Sequence, residues 1–409
     1  MSFRFFKSTF LFLVITATAC GNNSGNPSVN SAEAKNESPA EISKELKLGA
    51  ERTAYYLPFL EGKKVGLVGN QTSIIPTEAG NVHLVDTLLA LDVNLVKVFA
   101  PEHGFRGTAD AGEVVEDGKD PNTGLPVISL YGDNKKPSAQ QLEGLDVLIF
   151  DLQDVGVRFY TYISTLHYVM EAAAENDITV IIFDRPNPNG HYLDGPVLDP
   201  QYKSFVGMHP IPIVHGMTIG EYAKMTNGEN WLKNGEQTDL KVIEMENYVH
   251  SMPYDLPVKP SPNLPNAKSI NLYPSICFFE GTNVNAGRGT SKQFQVFGSP
   301  YLSQDEFPFT YVPEPNEGAK SPKHLNKTCY GRDLSNAAHL DYLNLEWLIE
   351  AYNHSSQKEE FFNAFFTKLA GTKELQKQIE NGMTAEAIRE TWKPGLEEFK
   401  TVREKYLLY

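Results

Sequence analysis

The chain has 409 residues, 41% of them hydrophobic and 21% charged, a composition with room for two or three cores that excludes disorder over most of its length. Thirty-six Lys and Arg against 51 Asp and Glu leave a net charge of −15 with no basic run, which argues against a nucleic-acid partner. An anionic ligand is still compatible with this balance wherever arginines converge.

At the N-terminus, Arg4 and Lys7 precede an apolar stretch from Phe10 to Ile15 and the small residues Thr16-Ala17-Thr18-Ala19. That pattern is a secretory signal peptide, too short to persist as a spanning helix. The small residues directly before Cys20 resemble a bacterial lipoprotein cleavage box, so residues 1–19 are expected to be removed and Cys20 to carry lipid. Residues 20–41, rich in Gly, Asn, Ser, Pro and Glu, read as a flexible tether. The expected location is periplasmic, as a membrane-anchored lipoprotein. Cys277 and Cys329 fit either a disulfide or two buried thiols, and neither has a metal-ligand spacing.

Ile42 to Leu60 reads as mainly helical, and Lys64 to Gly69 as the first central strand, ending at Asn70-Gln71-Thr72 without G-x-G-x-x-G spacing. Val82 to Leu91 has helical periodicity, and Leu95 to Phe99 is a second strand. Pro101 cannot continue the ladder, so Glu102, His103 and Arg106 should lie just beyond a strand's carboxyl end, where open α/β sheets bind ligands. Asp110, Glu113, Glu116, Asp117 and Asp120 then form an acidic lid or rim, or simply a solvated loop. Val127 to Leu130 and Asp146 to Phe150 are the third and fourth strands, the latter ending at Asp151-Leu152-Gln153-Asp154. Arg158, Tyr160 and Tyr162 lead into a helix over about 164–176. A fifth strand, Ile178 to Phe183, ends in Asp184-Arg185-Pro186-Asn187, a rigid proline-containing loop. Strands alternating with helices predict an α/β fold built on a parallel sheet. Thr218 and Glu221 have capping-box spacing, which makes Glu221 a cap rather than a catalyst. Clustered prolines from Pro253 to Pro265 mark a boundary, beyond which short amphipathic helices over 343–353, 359–369, 374–380 and 385–392 suggest a smaller α-rich domain.

Carboxylates, amides and aromatic faces gathered at strand ends are the chemistry of a sugar cleft. Glu102 is the first candidate for acid or base, with His103 and Arg106 beside it to set its protonation. Candidate substrate contacts are Asn70, Gln71, His103, Arg106, Asp151, Gln153, Arg158, Tyr160, Tyr162, Asp184, Arg185 and Asn187. Glu280, Asn283 and Arg288 join them from the later glycine-rich stretches. No H-x-x-x-H or H-x-H pair supports a metal and no G-x-S-x-G turn supports a serine nucleophile, so neither metal nor cofactor is expected. The residues alone lead to a hydrolase acting on a polar extracytoplasmic substrate. A non-catalytic sugar-binding lipoprotein and a metal-dependent hydrolase are the alternatives.

Six stretches look like one bacterial family: Pro101-Glu102-His103-Gly104, Phe150-Asp151-Leu152-Gln153-Asp154-Val155-Gly156, Asp184-Arg185-Pro186-Asn187-Pro188, Ser261-Pro262-Asn263-Leu264-Pro265, Phe279-Glu280-Gly281-Thr282-Asn283 and Gly287-Arg288-Gly289-Thr290. The family, formerly a domain of unknown function, is that of the exo-β-N-acetylmuramidases of peptidoglycan recycling. The resemblance implies a Rossmann-like catalytic domain over 42–255, an auxiliary domain over 256–409, and release of N-acetylmuramic acid from non-reducing ends of peptidoglycan-derived disaccharides or muropeptides. It also implies glutamate catalysts: Glu102 matches directly, Glu171 is the candidate partner, and Asp154 is its rival. Arg106, Arg158, Arg185 and Arg288 are available for the lactyl carboxylate of that sugar.

Overall fold

The structure, a computed structural model, describes residues 45–102, 104–105 and 117–409. The signal peptide, the tether, Cys20, His103, Arg106, Asp110, Glu113 and Glu116 therefore lie outside the described residues.

In chain order the first half comprises α1 (Thr53–Leu60), β1 (Val65–Gly69), a hairpin of β2 (Ile74–Thr77) and β3 (Gly80–His83), α2 (Leu84–Ala90), β4 (Leu95–Ala100), β5 (Gly118–Lys119) and β6 (Pro126–Ser129). It continues through α3 (Ala139–Leu142), β7 (Val147–Asp151), α4 (Tyr162–Ala174), β8 (Thr179–Phe183), α5 (Ile219–Gly228) and β9 (Leu240–Ile243). Seven of these strands form one sheet in the order β5-β6-β4-β1-β7-β8-β9, parallel throughout except at β5. Setting β5 aside, the parallel strands run 3-2-1-4-5-6 in their own sequence order, which is the doubly wound arrangement with its switch point between β1 and β7.

The apolar runs explain why these strands are central. Every residue of β1 and of β7 is buried. Val147 and Ile149 face the core shared with Tyr56 and Leu60 of α1 and Leu84, Val85 and Leu88 of α2. Leu148 and Phe150 face the opposite core, with Leu166, Val169 and Met170 of α4 and Tyr222 and Ala223 of α5. A sheet covered on both faces needs such continuous hydrophobic strands.

That second core continues without a break into the rest of the chain, through Phe278, Phe279, Phe297, Phe366 and Trp392. There α6 (Ala267–Ile276) is followed by the antiparallel strands β10 (Val296–Ser299), β11 (Phe309–Tyr311) and β12 (Cys329–Asp333), then α7 (Glu346–His354), α8 (Ala364–Ala370), α9 (Glu374–Glu380) and α10 (Ala385–Arg403). Helices stand at all four places read from the sequence, although the one expected over 359–369 begins only at Ala364, and the three-stranded sheet is an addition to them. Cys277 and Cys329 are both buried and unbridged. The described residues form one compact unit.

Several strand-end residues build the frame rather than the cleft. Arg185 grips Asp151 with two bonds, Nε to Oδ1 at 2.6 Å and Nη2 to Oδ2 at 2.8 Å, and its Nη2 also donates to the Ile74 carbonyl at 2.9 Å. Both side chains are almost fully buried. Asp184 accepts from Thr218 Oγ1, the Gly220 amide and the Tyr409 hydroxyl, at the N-terminus of α5. Thr218 and Glu221 form the capping box that their spacing predicts. Replacing Arg185 with Met should leave Asp151 as a buried unpaired charge and cost about 3–5 kcal/mol, read by urea denaturation; a loss below about 1 kcal/mol would show that the pair is not a structural fixture.

Candidate active site

The crevice at the switch point is filled by the protein's own side chains. Asn70 Nδ2 donates to the Tyr162 hydroxyl at 2.7 Å, Thr72 Oγ1 donates to Asn70 Oδ1 at 2.6 Å, and Ser73 Oγ donates to the Asp151 carbonyl. Tyr160 and Tyr162 both donate to the Pro260 carbonyl, at 2.9 and 3.1 Å, while Gln71 Nε2 reaches the carbonyls of Lys259 and Pro260. These residues fasten the segment from Lys259 to Leu264 over the strand ends. An open pocket lies to one side, beyond the ends of β4 and β6.

That pocket encloses about 320 Å³. From the first half of the chain come Glu102 just past β4, Tyr131 past β6, Thr161 at the start of α4, and Phe205. From the second half come Asn263, Tyr273 and Cys277 of the α6 region, Glu280, Arg288 and Phe365 of α8. Glu102 Oε2 accepts from Thr161 Oγ1 at 2.7 Å. Glu280 Oε1 accepts from Arg288 Nε at 2.8 Å. Burial opposes charge on Glu280, but the Arg288 guanidinium and the Lys323 ammonium together hold its pKa below the usual carboxylate range. Asn263 donates from Nδ2 to the Gly318 carbonyl at 2.5 Å, and its buried Oδ1 has no partner among the described residues.

Of the candidates from sequence, Glu102, Tyr160, Glu280 and Arg288 line this pocket. Asn70, Gln71 and Tyr162 serve the loop that covers the strand ends, and Asp151, Asp184 and Arg185 are the buried frame described above. Gln153 donates to the carbonyls of Asp154 and Pro186, and Asn187 donates to that of Met217. Asn283 Nδ2 donates to the Gln357 carbonyl at 3.3 Å, outside the pocket. Arg158 is fully buried and donates to four carbonyls, those of Pro196, Ile211, Leu369 and Ala370.

Glu171 is not brought to Glu102. Lys136 Nζ meets its Oε1 at 2.7 Å, the Lys233 amide donates to its Oε2 at 2.9 Å, and His167 lies at 3.6 Å. A mid-helix glutamate on α4 reaches the flank of the sheet, not the strand ends, and despite partial burial Lys136 keeps its pKa low. Asp154 is likewise outside the pocket. Its Oδ2 accepts the Gly156 amide at 2.7 Å, its Oδ1 is unpartnered among the described residues, and His215 Nε2 stands 3.9 Å away. Among the described residues no three His, Cys, Asp or Glu side chains converge as a metal would require.

Tyr273 and Asn263 are pocket residues that strand-end reasoning passed over. The proline-flanked Ser261-Pro262-Asn263-Leu264-Pro265 was their available signal, since it fixes a rigid loop next to a helix start.

The comparisons agree over most of the chain. The profile of exo-β-N-acetylmuramidase NamZ, N-terminal, matches residues 65–268, and its C-terminal counterpart matches 271–409. A peptidoglycan β-N-acetylmuramidase NamZ of Bacillus subtilis (strain 168) is 39% identical over 376 residues, covering 87% of this chain and 89% of that protein. Two crystal structures of DUF1343 family proteins from Bacteroides fragilis NCTC 9343 superpose with TM-scores of 0.82 and 0.74 at 46% and 29% identity. Each covers 89% of this chain and 99% of its own.

Burial raises the Asp154 pKa to about 7. Between about pH 4 and pH 7 the folded Asp154 therefore keeps a proton that it has lost in the unfolded chain, and its contribution to stability falls as pH rises through that window. Asp154→Asn removes this contribution, while Asp184, also raised to about 7, is common to both proteins and cancels. Urea unfolding should show the variant gaining at least about 1 kcal/mol on the wild type between about pH 5 and pH 8; parallel pH curves would contradict the burial argument.

Proposed function

We propose that this chain, which belongs to the exo-β-N-acetylmuramidase NamZ family, is a glycoside hydrolase that releases N-acetylmuramic acid from the non-reducing ends of peptidoglycan fragments, with Glu102 and Glu280 as its two working carboxylates. One observation carries the assignment of residues: a glutamate from each half of the chain faces the same 320 Å³ pocket.

Glycoside hydrolysis commonly uses one carboxyl group to protonate the leaving oxygen and a second carboxylate on the reacting carbon's side. Glu280, held ionised by Arg288 and Lys323, is suited to the second task, where positive charge develops at the anomeric carbon. Proton transfer then falls to Glu102, which the Thr161 hydroxyl orients from the start of α4. Phe159, Tyr160, Tyr273 and Phe294 supply aromatic faces for a sugar ring. The cavity is small for a ligand site, which favours a terminal sugar over a chain that threads through.

Anchoring by a lipid on Cys20 and residence in the periplasm belong to the same proposal and rest on the N-terminal pattern alone. Cys20→Ser should abolish incorporation of labelled palmitate and move the protein from the membrane to the soluble fraction. Unchanged labelling would overturn the anchor.

For the chemistry, release of the chromophore from a β-linked N-acetylmuramic acid glycoside is the direct assay. Glu102→Gln and Glu280→Gln should each lower kcat by about 10²-fold or more while the proteins stay folded. Full activity in either variant removes that residue from the mechanism.

A further inference from the structure

A second, more polar cavity of about 380 Å³ adjoins the first. The two share Glu280 and Arg288 as lining residues, and the second adds Asn285, Ser321 and Lys323. Gly318 also belongs to its wall, and the Gly318 carbonyl accepts from Asn263 of the first pocket.

The shared wall is held rigidly. Gly287 and Gly289, on either side of Arg288, have φ of 79° and 76°, a conformation that favours glycine. A Cβ on Gly289 would stand 2.5 Å from Pro322 Cγ, so the Arg288 turn is packed against the segment that carries Lys323. Asn285 Nδ2 joins the same two pieces by donating to the carbonyls of Arg288 and Lys323. The guanidinium lies 5.1 Å from the Phe294 ring centroid and uses Nε for Glu280; its two terminal nitrogens donate to no other described residue.

Lys323 Nζ donates to the carbonyls of Phe279, Thr282 and Val284, at 2.8, 2.5 and 2.9 Å. All three acceptors are neutral, and none of its bonds goes to a carboxylate. Around the second cavity two cations thus face one anion, an excess of one positive charge in a protein whose net charge is −15. Two preorganised donors on a planar fork, with a spare positive charge behind them, are the complement of a single carboxylate.

We propose that this second cavity is the subsite for the lactyl carboxylate of N-acetylmuramic acid, bound by the terminal nitrogens of Arg288, with Lys323 as the positioning residue that holds the loop and supplies the field. The inference rests on the muramidase reading and deepens it. The other arginines do not compete within the described residues: Arg158 is consumed by four carbonyls and Arg185 by Asp151. The site therefore selects for the free acid, and a neutral lactyl amide should bind poorly.

The test uses the full chain carrying Glu102→Gln, so that ligands bind without turnover. Calorimetry should show N-acetylmuramic acid binding at least about tenfold tighter than its lactyl amide, the size expected for a charge-assisted pair. Adding Lys323→Met should shrink that ratio to about twofold or less while binding of N-acetylglucosamine persists, and Lys323→Arg should restore it. A merely structural role for Lys323 would weaken all three ligands alike. Should the Met variant fail to fold, competitive inhibition of the wild type by acid and amide at low and high salt gives the same comparison, the acid alone losing potency with salt. Equal binding of acid and amide overturns the subsite, and if the wild type still hydrolyses the chromogenic substrate, the muramidase reading survives that failure. A wild type that prefers the acid yet hydrolyses nothing would do the opposite, supporting the subsite and removing the catalysis.

Discussion

The bidentate bond between Arg185 and Asp151 sits where a doubly wound sheet ordinarily opens to a ligand, and the rest of the site follows from that occupation. A carboxylate at the end of the fully buried strand β7 is too costly to leave unpaired, and a surface contact could not neutralise it. Arg185 reaches back from the end of β8 to do so. Its third bond, to the Ile74 carbonyl, ties the β2–β3 hairpin to the same point. With Asn70, Thr72 and Tyr162 closing the remaining space, the switch point becomes solid protein. The free volume lies instead beyond β4 and β6, and Glu102 is the carboxylate that emerges there.

Displacing the pocket in this way changes what must line it. The sheet supplies one wall only, and the other has to come from residues beyond the proline-rich crossover. Pro260 accepts from both Tyr160 and Tyr162, so the crossover is fastened before α6 begins. From there the chain delivers Tyr273, Glu280 and Arg288 to the side opposite Glu102. The carboxylates consequently arise some 180 residues apart in sequence (280 − 102 = 178) and no local motif contains both.

This separation explains which parts of the structure were legible in the sequence. β1, β7 and β8 are almost wholly apolar, buried runs and could be read directly, and the longer β4 keeps that signal on either side of its one charged residue, Lys97. The edge strand β9 carries Lys241 and is only partly buried, and the β2–β3 hairpin contains Pro76 and is largely exposed, so neither has that signature. In β12, Gly331 lies where a Cβ would collide with the Phe297 carbonyl, a constraint of the partner strand that composition does not reveal. The placement of polar groups at strand ends was correct, yet position along a strand does not say whether a side chain turns outward to a pocket or inward to a neighbour. Asp184 turns inward because α5 begins beside it, and Glu171 departs because a helix carries it away from the strand ends.

Arg158 shows the same lesson in its energetic form. Burial lowers its pKa to about 9, so it remains a cation at neutral pH, and a buried cation needs concentrated negative potential around it. It finds this at the C-terminus of α8, where the last carbonyls of a helix lack intrahelical donors and carry the negative end of the dipole. Its Nη2 bonds the carbonyls of Leu369 and Ala370, and Nη1 bonds those of Pro196 and Ile211. Gly371 then has to be glycine twice over: its φ of 73° ends the helix, and a Cβ would stand 2.6 Å from Arg158 Nη2. The helix fixed by this bond is the one that brings Phe365 and Leu369 to the pocket. An arginine without contact to the cavity therefore sets the position of one of its walls, by joining the loop before α4 to the end of α8. In that arrangement the stability of the joint between the two halves of the chain and the shape of the pocket are a single constraint.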